Sequence, residues 1–176
     1  CAQALIEAGA AVDMVKNGGR GRTVLMKACD KGHHELARAL IDAGADLELT
    51  NRGGENALMV ACNNGRHECA QALIVAGAAV DRVNNDRRTA LMHACHWGDH
   101  ELAQRLIEAG AAVDMVNNNG WTALMYACYL GHHECAQAMI DAHADIELTN
   151  RHGQNALIFA CESPPSYWTQ SQRQGM

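Results

Sequence analysis

One segment recurs along the chain at a fixed interval of 33 residues. It reads TVLMKAC at Thr23–Cys29, NALMVAC at Asn56–Cys62, TALMHAC at Thr89–Cys95, TALMYAC at Thr122–Cys128 and NALIFAC at Asn155–Cys161. A second block follows the first four: GHHEL from Gly32, GRHEC from Gly65, GDHEL from Gly98 and GHHEC from Gly131, each leading into an Ala/Leu/Ile stretch that ends at Gly44, Gly77, Gly110 or His143. Strict self-similarity at this period marks an array of stacked units, each burying its apolar side against its neighbours.

Each unit reads as two short helices and a loop. Thr or Asn before the first apolar pair is an N-cap, and the Gly of the second block closes the first helix. In the second helix Leu36, Ala37, Leu40 and Ile41 share a face, with Glu35, Arg38 and Asp42 opposite, so one side packs and the other is wet. Gly44 and its equivalents suit the left-handed position that ends that helix. His143 takes the same slot with mild strain, because His tolerates such dihedrals better than most residues. Composition agrees: 48% of the 176 residues are hydrophobic but only 4% aromatic, and the 31 Ala and 16 Gly supply small side chains for close helix packing. An all-β fold, which draws on β-branched and aromatic residues, is disfavoured.

The pattern resembles the ankyrin repeat, a 33-residue unit carrying Thr-Pro-Leu-His-x-Ala. The matching residues are Thr23-Val-Leu-Met-Lys-Ala, Thr89-Ala-Leu-Met-His-Ala and Thr122-Ala-Leu-Met-Tyr-Ala, with Gly-His-His-Glu from Gly32 and from Gly131. The resemblance implies an all-α ankyrin solenoid with short β-turn or hairpin loops. The expected organisation is a half repeat at 1–15, full repeats at about 16–50, 51–83, 84–116 and 117–149, a last half repeat at 150–162, and a Pro-containing tail at 163–176. The family's Pro is replaced by Val24 or Ala and its His by Met26, Met59, Met92, Met125 or Ile158, so apolar packing stands in for the Thr–His hydrogen bond.

Smaller features refine this picture. Gly9 to Gly44 spans two residues more than the period, so the loop from Lys16 to Arg22 is expected to protrude. DLELTNRGGENAL from Asp46 recurs as DIELTNRHGQNAL from Asp145, which suggests duplication of a three-repeat block. Neither end carries a polar capping face, and the chain, opening on Cys1, reads as a piece of a longer one. Pro164 and Pro165 oppose a further helix of normal length, and Tyr167 and Trp168 are candidates to fold back over the last unit.

Chemistry is sparse in the sequence. Cys29, Cys62, Cys95, Cys128 and Cys161 occupy one slot of successive first helices, roughly 8–10 Å apart if stacked, beyond the ~7 Å Cα separation a disulfide allows. Free thiols packed as small hydrophobes are expected, which implies a reducing compartment such as the cytoplasm. Cys69 and Cys135 follow Cys62 and Cys128 by seven residues near His67, His132 and His133, but this is no zinc-knuckle spacing. No metal or cofactor is expected. The His-His-Glu triplets at 33–35 and 132–134 point in different directions from a helix, and no nucleophile–base set or phosphate loop is present, so no catalytic residues are assigned. A formal charge of −6 argues against nucleic-acid binding, and no apolar run has membrane-spanning length.

In the family, the residue before the cap and the seventh and eighth residues after it line a concave surface that contacts partners. Here the pre-cap position holds Arg22, Glu55, Arg88, Trp121 and Gln154; the seventh and eighth hold Asp30 and Lys31, Asn63 and Asn64, His96 and Trp97, Tyr129 and Leu130, Glu162 and Ser163; and the fourth, on the inner side of the first helix, holds Lys27, Val60, His93, Tyr126 and Phe159. No aromatic residue precedes Trp97, yet Trp97, Trp121, Tyr126 and Tyr129 fall on this face in adjacent repeats. With Arg87, Arg88, His96 and Leu130 they have the composition of a protein-binding hot spot. Eight of the 14 basic residues lie in the loops, which suits a protein partner with an acidic rim, diluted by Asp13, Glu48, Asp81, Asp114 and Glu147 at the loop bases. The expected function is a non-catalytic protein-interaction module. The alternatives are a spacer or assembly subunit that uses its open ends, or a regulatory segment of a larger enzyme or channel.

Overall fold

The computed structural model describes residues 2–15 and 20–162. Its helices are α1 (Ala2–Glu7), α2 (Val24–Lys31), α3 (His34–Asp42), α4 (Ala57–Asn63), α5 (His67–Val75), α6 (Ala90–Trp97), α7 (His100–Glu108), α8 (Ala123–Leu130), α9 (His133–Asp141) and α10 (Ala156–Glu162). The even-numbered helices pack on one another in one row and the odd-numbered in a second, with pairs such as α6 and α7 joining the rows. The fold is an all-α repeat solenoid. Its one β feature among the described residues is an isolated antiparallel bridge between Val15 and Thr23.

Capping follows the sequence closely. Oγ1 of Thr23, Thr89 and Thr122 and Oδ1 of Asn56 and Asn155 accept the amide of the residue three positions on, at 3.0–3.2 Å. Gly32, Gly98 and Gly131 close their helices in the left-handed region, whereas α4 ends at Asn63 with Asn64 as its cap. His143 has φ 60° where Gly44, Gly77 and Gly110 have 81–88°. Met26, Met59, Met92 and Met125 are buried beside Leu25, Leu58, Leu91 and Leu124, so apolar packing fills the site of the family's histidine.

The loops lock adjacent units together. The amides of Arg52, Asn85, Asn118 and Arg151 donate to the carbonyls of Arg20, Gly53, Asp86 and Asn119 of the preceding loop at 2.9–3.1 Å. Asp46, Ala112 and Asp145 donate their amides to Asp13, Asp81 and Asp114, and Ala79 to Glu48, at 2.8–2.9 Å. Four of the loop-base acids are therefore repeat-to-repeat staples as well as surface charge, an assignment that sequence inspection missed. Within each turn, Asn51, Asn84, Asn117 and Asn150 accept the amides two and four residues on.

The outermost described helices leave apolar residues uncovered. Leu5 is 62% exposed where its equivalents Leu40, Leu73 and Leu106 are at most 1%, and Leu157 is 69% exposed where Leu124 is 2%. In interior repeats the equivalent leucine is covered by a neighbouring helix; among the described residues none covers Leu5 or Leu157. Most of the long first loop, Lys16–Gly19, and Tyr167 and Trp168 lie outside the described residues.

Candidate protein-interaction face

The pre-cap and seventh positions meet in space. In the first full repeat Arg22 Nη1 lies 2.8 Å from Asp30 Oδ1; in the fourth, the Trp121 and Tyr129 rings meet edge-on with centroids 5.3 Å apart. The pre-cap residue leaves the loop just before the helix and the seventh faces it from two turns along, so their side chains share one strip.

From the third repeat onward that strip is aromatic. Trp97 contacts His96 at 5.1 Å, His96 contacts Tyr126 at 5.4 Å, Tyr126 contacts Trp121 at 5.0 Å, and Trp121 reaches Phe159 at 4.4 Å. Arg88 stacks its guanidinium 5.1 Å from the Tyr126 centroid. Edge and tilted pairs of this kind hold one another in place, so the exposed atoms of Trp97 and Tyr129 belong to a braced surface.

The eight residues expected at the site fall into distinct environments. Trp97 is 55% and Tyr129 49% exposed; Trp97 is also tethered, its Nε1 donating to Asn63 Oδ1 at 3.0 Å. Arg87 is exposed, and Arg88, His96, Trp121 and Leu130 are half-buried. Tyr126 departs from the expectation of an exposed ring. It is 6% exposed, because Trp121, His96 and Arg88 cover it and its hydroxyl accepts a 2.8 Å hydrogen bond from Asn117 Nδ2. It supports the face from beneath, and burial raises its phenol pKa.

Arg87 carries a signal that residue-by-residue reading passed over. It has φ 58°, in the slot where Gly21, Gly54, Gly120 and Gly153 have φ 67–78°. A side chain there costs roughly 1–2 kcal/mol of backbone strain. The strain occurs at one repeat of five, beside the aromatic strip.

Below Trp97 lies an open groove of about 610 Å³, walled by Asn63, His67, Asp99 and Glu101. His67 Nε2 sits 3.1 Å from Asp99 Oδ2. Among the described residues, no group of three or more His, Cys, Asp or Glu side chains is placed to hold a metal ion. Cys29, Cys62, Cys69, Cys95 and Cys135 are buried free thiols and Cys161 is an exposed one. The thiol contacts run between repeats: Cys29 pairs with Cys69 and Cys95 with Cys135, and each hydrogen bond, with burial, raises the pKa of the first member.

A family model for ankyrin repeats in three copies matches residues 1–82, 43–115, 64–150 and 98–167. The chain belongs to the ankyrin-repeat family. Ankyrin repeats are generally protein–protein interaction modules, and the family is typically non-catalytic. No curated protein matches the chain significantly. Among the described residues, no helix is long and apolar enough to cross a membrane.

Proposed function

We propose that the chain is a non-catalytic binding module that grips a protein partner on the strip formed by its first helices and loop tips, with Trp97, Trp121 and Tyr129 as anchors and Arg87, Arg88, His96 and Leu130 around them. The observation that carries this reading is the continuous ring contact from Trp97 to Phe159, which leaves Trp97 and Tyr129 half-exposed on a braced base. The first and second full repeats pack without any aromatic residue, so the exposed rings of Trp97 and Tyr129 are not a requirement of the repeat fold. Rigid amphipathic rings exposed at low entropy cost are what interface centres use. Buried reduced thiols support a reducing compartment, the cytoplasm among them.

The test is capture of partners from a lysate by the wild-type chain and by a Trp97→Ala/Tyr129→Ala variant of unchanged circular dichroism. Loss of a wild-type partner is expected; full retention overturns the reading. A second reading has its own observation. Leu5 and Leu157, exposed at the two ends, suit a spacer or assembly subunit that stacks on neighbouring repeats, and capture lost only on Leu157→Asp would favour it.

A further inference from the structure

The repeats provide their own control experiment on Arg88. In the first full repeat the pre-cap arginine, Arg22, is neutralised by the seventh residue, Asp30, at 2.8 Å. In the third, the same two slots hold Arg88 and His96. An imidazole therefore occupies the place of the internal counter-ion.

Nothing among the described residues replaces that carboxylate. Among the described residues no acid comes within ion-pair distance of Arg88, which rests on the Tyr126 ring and hydrogen-bonds its hydroxyl. His96 Nδ1 is buried without a hydrogen-bond partner, and so is Nε2 of His93, a residue only 5% exposed on the same helix. Of the acids that reach this cluster electrostatically, Glu55 is held by Asn51 Nδ2 at 2.8 Å and Asp86 lies exposed in the loop. A half-buried guanidinium beside orphaned imidazole nitrogens is an unmet electrostatic demand, since buried polar atoms normally find partners.

We propose that Arg88 and His96 form a carboxylate-binding subsite, which accepts an acidic side chain of the protein partner in the place that Asp30 fills for Arg22. The Tyr126 ring, beneath the Arg88 guanidinium and edge-on to His96, forms an apolar floor to the subsite, which strengthens a charge-assisted contact made there. This inference rests on the binding reading of the face and names the partner's chemistry there: a carboxylate next to an apolar or aromatic group.

Protonation gives the subsite a direction with pH. In the free protein burial, Arg88 and His132 all disfavour imidazolium at position 96. A bound carboxylate favours it, so binding takes up a proton and strengthens as pH falls. His93, Arg88, His132, Glu55 and Asp86 are the other charged or titratable groups around the site, and none supplies the missing contact.

The experiment uses N-acetylglutamate methylamide as the probe and its glutamine analogue as the neutral control. Each is titrated into the labelled chain to roughly 50 mM at constant ionic strength, because one charged contact supports only millimolar affinity. Saturating NMR shifts at Arg88 Nε–Hε and His96 Cε1–H are expected from the glutamate probe alone, tightening at least about threefold from pH 8 to pH 6. His96→Asp, which installs the internal counter-ion, should weaken the probe at least about tenfold without lowering the unfolding midpoint. Arg88→Gln gives the same loss by removing the cation. Equal shifts from both probes, or undiminished binding in both variants, overturns the subsite. A failed probe titration with capture still dependent on Trp97 and Tyr129 sinks the subsite alone; a successful one with capture independent of those rings sinks the wider reading and leaves the subsite standing.

Discussion

Asn117 Nδ2 donates to the hydroxyl oxygen of Tyr126 at 2.8 Å, while Asn117 Oδ1 accepts the amides of Asn119 and Trp121. One asparagine thus ties the ring beneath the aromatic strip to the loop that presents Trp121. Tyr126→Phe keeps the ring and strands the amide, so a loss of about 1–2 kcal/mol in urea unfolding is expected. If the bond mattered only to stability, partner capture would fall in step with folding. A larger fall in capture, in a variant still fully folded, would show that the hydroxyl positions the strip, through Asn117 on the Trp121 side or through Arg88, which it also binds.

The left-handed Arg87 supplies an opposite prediction. Arg87→Gly restores the residue of the four sister repeats and relieves the strain, offset in part by the extra freedom of glycine in the unfolded chain. A net gain of about 0.5–1 kcal/mol in thermal unfolding is expected, with weaker partner capture. Unchanged or lower stability would mean that the loop is not strained at this residue.

How much of this was legible in the sequence depends on whether the information was local. The caps at Thr23, Asn56, Thr89, Thr122 and Asn155 and the helix pairs could be read directly, because a cap and an apolar face are set within a few residues. The left-handed His143 followed from its place in a glycine column. Contacts between repeats were harder. Cys69 looked like a companion of Cys62 in the same unit, yet its sulfur meets Cys29 of the preceding repeat, a contact that spacing along the chain does not encode. Tyr126 was grouped with the exposed rings because it falls on the same face, but its column holds both Lys27, which is exposed, and Phe159, which is buried. Only its neighbours in space decide between them.

The loop-base acids show the same limit. Asp81 and Asp114 read as surface charge, but each accepts a backbone amide from the next repeat at 2.8 Å. Asp114→Ala removes that acceptor and should cost about 1 kcal/mol, whereas Asp114→Asn keeps an oxygen in place and should cost less than half as much. Hydrogen exchange at the Asp145 amide is the direct readout, faster in the alanine variant than in the asparagine one. Equal, negligible effects would return these acids to the role of charge alone.

His93 makes stability depend on pH. Burial, the largest cause, pushes its imidazole from 6.5 down to about 4, and at 5% exposure it has no room to hydrate a charge. The unfolded chain therefore takes up the proton first. Stability from this residue is whole above about pH 6.5 and is lost progressively as pH falls from there to about 4. The full shift corresponds to about 3 kcal/mol. Val60 fills the same slot one repeat earlier, also buried, so His93→Val should be tolerated and should flatten this part of the profile. Urea unfolding of both proteins at about pH 7.5 and pH 4.5 measures it. Carboxylates protonate in both alike, so the difference between the two slopes isolates the imidazole. Parallel slopes would mean that the folded chain protonates His93 as readily as the unfolded one, by opening α6 or by admitting water to Nε2.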